Sequence, residues 1–95
     1  MIFRYQLRIG DTRNDVNYLG YPLVLTPTEY RILRILAEQT DGLSAEELLV
    51  GRNGKAEKAT TLAVHICSIN RKAAVIGERK IILYENGCYR LNPCM

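Results

Sequence analysis

Thr60-Thr-Leu-Ala-Val-His-Ile-Cys-Ser-Ile-Asn-Arg-Lys72, followed a few residues later by Lys80-Ile-Ile-Leu-Tyr-Glu-Asn-Gly-Cys-Tyr-Arg-Leu91, decides the fold of this chain. Leu62, Ile66, Ile69, Ala73 and Ile76 follow helical steps. At about 100° per residue they share one apolar stripe. Thr60, Val64, Cys67, Ser68 and Arg71 fall on the opposite face, and Gly77 is placed to stop the helix. The second segment is two strands around Glu85-Asn86-Gly87, because Asn-Gly accepts the positive φ angles of a tight hairpin turn. A helix with one buried stripe leaves its other face free to enter a DNA major groove. A hairpin just after it can reach the neighbouring groove or the backbone.

Upstream, Thr26-Pro27-Thr28-Glu29 is a helix start. Thr26 can cap, Pro27 suits the first helical position, and Glu29 can bond back to the cap's amide. This helix is expected to run to about Gln39. Tyr30, Leu33, Leu36 and Ala37 should point inward with Ile32 or Ile35, and Asp41-Gly42 should end it. Ser44-Ala-Glu-Glu47 is a second capping box opening a short helix to about Val50. The residues from Gly51 to Lys58 are a polar, basic loop. At the N-terminal end Phe3, Tyr5, Leu7 and Ile9 alternate with Ile2, Arg4, Gln6 and Arg8, which predicts one half-buried strand over 2–9. Gly10 to Asp15 is a turn by composition, and Val16 to Tyr18, Leu19-Gly20-Tyr21 and Pro22 to Leu25 read as a second hairpin.

The expected order is therefore a small antiparallel sheet, three helices and a terminal hairpin. That is an α+β winged helix-turn-helix with an added N-terminal sheet. Residues 1–95 make a single domain, with the sheet over 1–25, the three-helix core over 26–77 and the wing over 80–91. A chain of 95 residues can build one hydrophobic core, and its 47% hydrophobic content excludes a disordered class. Thirteen basic and ten acidic side chains leave a formal charge of +3, which suits a polyanion only if the cations cluster. Cys67, Cys88 and Cys94 are an odd number without framework spacing, read as free thiols in a reducing cytoplasm. No signal peptide is visible, and no stretch approaches the roughly 20 apolar residues of a membrane span.

Four segments resemble the OmpR/PhoB-type winged-helix domain, the output module of bacterial two-component response regulators. They are Leu25-Thr-Pro-Thr-Glu-Tyr-Arg-Ile-Leu33, Leu43-Ser-Ala-Glu-Glu-Leu-Leu49, Thr61-Leu-Ala-Val-His-Ile66 with Arg71-Lys72, and Gly87-Cys-Tyr-Arg-Leu91. The resemblance implies a DNA-binding transcriptional regulator whose third helix enters the major groove of double-stranded DNA and whose wing meets the minor groove. It also implies a contact of the loop before that helix with RNA polymerase, and head-to-tail homodimers on direct repeats. The family usually carries arginines where this chain has Thr60, Ser68, Asn70 and, on the wing, Glu85. Cys88 stands in place of a usual glycine.

The candidate DNA-contacting residues are Thr60, Thr61, Val64, His65, Ser68, Arg71, Lys72, Lys58 and Arg90. Val64 can meet a thymine methyl, while Thr61 and Ser68 can bond to phosphates or bases. Arg71 and Lys72 can neutralise phosphates. Lys58, with Arg52 and Lys55, lies where a phosphate can pass, and Arg90 can reach the backbone. His65 sits at the stripe's edge, equally suited to a phosphate or to a local bond. The bland alternative for the whole face is a solvated surface, and the functional alternative is a protein-interaction module of the same fold. His65, Cys67, Cys88 and Cys94 lack metal-ligand spacing, so no metal or cofactor is expected. No catalytic constellation is recognisable. Glu29, Glu46 and Glu47 are accounted for as helix-start residues.

Overall fold

The computed structural model describes residues 1–39, 42–44, 47–48 and 59–93, with residues 59–61 described by backbone alone. In chain order the elements are β1 (Ile2–Arg4), β2 (Leu7–Ile9), β3 (Val16–Tyr18), β4 (Tyr21–Pro22), α1 (Pro27–Glu38), β5 (Leu43–Ser44), α2 (Ala59–Gly77), β6 (Ile82–Glu85) and β7 (Cys88–Leu91). The first four strands form an antiparallel meander in sequence order, and β5, β7 and β6 form a second sheet in that order. The architecture is α+β, with an N-terminal sheet, helices and a C-terminal hairpin.

The expected single strand over 2–9 is a hairpin instead. The chain reverses at Tyr5 and Gln6, with Tyr5 at φ 53°, and Arg4 pairs with Leu7. Phe3 and Tyr5 therefore leave the core, 68% and 58% exposed, while Leu7 and Ile9 stay buried. Alternation alone cannot reveal a two-residue reversal whose flanking strands keep the same period. The turn at Leu19-Gly20 and the wing turn at Asn86-Gly87 both have two successive positive φ values, as tight hairpin turns require.

Helix α1 starts with the expected reciprocal cap. Glu29 N donates to Thr26 Oγ1 at 3.2 Å, and Thr26 N donates to the Glu29 carboxylate at 2.8 Å. Ile32, Leu33, Leu36 and Ala37 are buried, Tyr30 and Ile35 half-buried, and Gln39 caps the C-terminus. The second capping box is also present: Ser44 N meets the Glu47 carboxylate at 3.0 Å, and Glu47 N meets Ser44 Oγ at 3.2 Å. The short helix expected beyond it lies largely outside the described residues, as does the basic loop. The helix expected third is thus the second described one, α2.

Leu62, Ile66, Ile69 and Ala73 of α2 join the β-sheet residues Leu7, Val16 and Tyr18, the α1 residues and Ile81, Ile82 and Leu91 in one core. Gly77 lies within the helix rather than beyond it, and the left-handed residue is Glu78 at φ 59°. The glycine is needed for space: a Cβ there would stand 2.6 Å from the Tyr18 hydroxyl and 2.8 Å from Leu19 Cδ1. Among the described residues no helix is long and apolar enough to cross a membrane.

Candidate nucleic-acid interface

The core stripe turns one side of α2 outward, and side-chain bonding settles what that side presents. Val64 is 65% exposed, and Ala63, Cys67, Arg71, Ala74 and Val75 are exposed with it. Thr60 and Thr61 belong to the first turn of α2. His65 is half-buried beside the stripe. Lys58 falls outside the described residues.

Ser68 and Lys72, expected on the outward face, are engaged with the protein itself. Both reach Glu29 at the N-terminus of α1, the Ser68 hydroxyl by a hydrogen bond and the Lys72 ammonium by an ion pair. Glu29 is 2% exposed. Burial pushes its carboxyl pKa up, but the hydrogen bonds from Lys72, Ser68 and the Thr26 amide and the Lys72 charge outweigh it. The balance lowers the pKa from 4.5 to about 2. Glu29 is therefore more than a helix-start residue: it locks the two helices together. Lys72 keeps a partly exposed side chain, but its charge already has a counter-ion.

Asn70, where the family usually has an arginine, also faces the protein. Its Oδ1 accepts from Ile81 N at 3.0 Å and Ile82 N at 2.9 Å, and its Nδ2 donates to Ile82 O at 3.0 Å. One amide side chain thus completes the backbone of β6 and holds the wing against α2. An asparagine offers both a donor and an acceptor at the required reach, which arginine does not. No periodicity identifies this residue, because its partners lie eleven and twelve residues on.

The wing stands beside α2. Arg90 donates to the Glu85 carboxylate at 2.8 Å, so the wing cation expected at a phosphate is balanced within the hairpin. Tyr84 and Tyr89 pack with ring centroids 4.7 Å apart. Burial and the neighbouring Tyr84 raise the Tyr89 phenol pKa. A groove runs between α2 and β6, walled by Ala63, Cys67, Asn70, Leu83 and Tyr84. The two-residue strand β5 pairs with β7 on the far side from β6, tying the wing to the segment after α1. Two residues carry no readable period, so that strand is invisible in the sequence. Among the described residues no three His, Cys, Asp or Glu side chains group as they would around a metal ion.

The arrangement can offer a helix face and a hairpin to a groove-bearing partner. On the outward arc of α2 Arg71 is the one charged side chain among the described residues, and on the wing Glu85 is exposed. No protein-family model matches the chain. Over 79 residues, 80% of its length, it is 33% identical to the transcriptional activator protein PfeR of Pseudomonas aeruginosa and spans 26% of that protein. Its fold matches the DNA-binding domain of the response regulator AdeR, solved in complex with an intercistronic region. There the TM-score is 0.82 with 22% identity over 95% of this chain and 97% of that one. It likewise matches the DNA-binding domain of CpxR from E. coli, with a TM-score of 0.74 and 24% identity over 95% and 93% of the two chains.

Proposed function

This chain has the winged-helix fold of the OmpR/PhoB-type response-regulator domains, and from that premise we propose that it binds double-stranded DNA sequence-specifically in transcriptional control. In this reading α2 lies in the major groove and the β6–β7 wing lies on the adjacent groove or backbone. The 95 residues act as one DNA-binding unit. The observation that carries the reading is the free face of α2. Val64, Cys67 and Arg71 stand clear of the core on a helix fixed from both sides, by Glu29 below and by β6 beside it.

Roles divide accordingly. Val64 meets a base edge, and Arg71 neutralises a phosphate. Ser68 and Lys72 act through Glu29 as positioning residues that set the angle of the helix. Arg90 contacts the backbone only when it gives up Glu85. Fluorescence anisotropy with duplex DNA over a salt series tests the proposal. The expected result is an association constant that falls linearly on logarithmic axes as salt rises. Absence of binding at low salt, or binding indifferent to salt, contradicts it.

A second reading, a protein-docking module of the same fold, draws on the apolar side chains at the same surface. Val64 is 65% and Tyr84 61% exposed. That reading expects Arg71→Ala to leave partner binding intact, whereas the DNA reading expects the change to weaken binding and lower the salt slope by about one.

A further inference from the structure

We infer that the outward face of α2 reads the C5-methyl groups of thymine, so that its preferred duplex carries A·T pairs rather than guanines under the helix. The inference rests on the DNA-binding reading above and adds the class of base pair recognised. At about 100° per residue, the exposed residues Ala63, Val64, Cys67, Arg71, Ala74 and Val75 fall within one arc roughly 120° wide. Among these side chains Arg71 alone is charged; the others present methyl groups or a thiol. Arg71 also stands about 10 Å along the helix axis from Val64, toward the C-terminal end. Base edges are usually met by the N-terminal part of a recognition helix.

Among the described side chains of α2, three polar ones suited to bases or phosphates are committed elsewhere. Asn70 is suited by type to a bidentate bond with adenine, but its amide already holds Ile81 and Ile82. Ser68 and Lys72 are bonded to buried Glu29. Among the described side chains, the N-terminal half of the free face presents Ala63, Val64 and Cys67, continued across the groove by the exposed Tyr84. In the major groove guanine offers acceptors and cytosine a donor, whereas only thymine offers a methyl group. An apolar face gains nothing from the first two and leaves them unsolvated. Against thymine it buries carbon on carbon.

Duplexes selected from a random pool with the 95-residue chain, then remade with deoxyuridine for thymidine, test this directly. Deoxyuridine keeps the pairing and the O4 acceptor and lacks only the methyl group. The selected sites should share thymines, and each contacted methyl removed should weaken binding about fourfold, the equivalent of one buried methylene-sized group. Val64→Ser should abolish most of that difference while keeping the salt slope; the side chain is 65% exposed, so the fold is retained. Equal affinity for thymidine and deoxyuridine duplexes, or sites dominated by guanine, overturns the inference. Salt-dependent binding without sequence preference overturns it too, but leaves DNA binding standing. No binding to any duplex at low salt overturns the DNA reading itself.

Discussion

A carboxylate sealed from water is tolerable at Glu29 only because donors converge on it from α2 and from the cap of its own helix. Burial raises its pKa, and Lys72, Ser68 and the Thr26 amide together bring it down from 4.5 to about 2. A carboxyl group whose pKa is depressed by folding adds stability that is complete above its unfolded value and disappears as pH falls through the folded one. Here that window runs from about 4.5 down to about 2, and the shift corresponds to about 3 kcal/mol. Urea unfolding at pH 7 and pH 2.5 measures it. Glu29→Gln, which can still complete the capping box, should lose about 2–3 kcal/mol at pH 7 and show a smaller acid-induced loss than the parent chain. On the wing, the exposed pair Glu85–Arg90 should matter little for stability and much for binding. Glu85→Gln removes a repelled carboxylate and releases Arg90. Anisotropy titrations should show tighter binding and a salt slope steeper by about one. Unchanged affinity means the wing is not at the DNA.

At the scale of elements, the joint between α2 and β6 sets where the wing stands. Asn70 satisfies the amides of Ile81 and Ile82, residues that are 0% and 2% exposed. Asn70→Ala leaves two buried donors unpaired and should cost about 2–4 kcal/mol in a chemical denaturation experiment. Asn70→Asp keeps the acceptor for both amides but sets a carboxylate oxygen against Ile82 O, so it should not restore the parent stability. The elements themselves differed in how openly the sequence announced them. Both helix starts, the stripe of Leu62, Ile66 and Ile69 and the Asn86-Gly87 turn are local patterns, written by neighbours in sequence. The bonds of Ser68, Asn70 and Lys72 are not local. A reader of the helix alone places Ser68 outward and counts Asn70 as a missing cation, because Glu29 and the β6 backbone are far away along the chain. Likewise Phe3 and Tyr5 carry the period of a buried strand, and only the reversal at Tyr5 turns them to solvent.

For the whole molecule, a net charge of +3 and few free cations on α2 imply modest non-specific affinity, with apolar contacts supplying much of the preference. On the proposed reading, partner and protein meet over the outward face of α2 and the adjacent wing. Amide chemical-shift mapping of the labelled chain during titration with a selected duplex tests it most directly. Perturbations should centre on Ala63, Val64, Cys67 and Arg71 and extend to Tyr84 through Arg90. Perturbations confined to the outer N-terminal sheet at Phe3, Tyr5 and Tyr21, or none with duplex at low salt, contradict it.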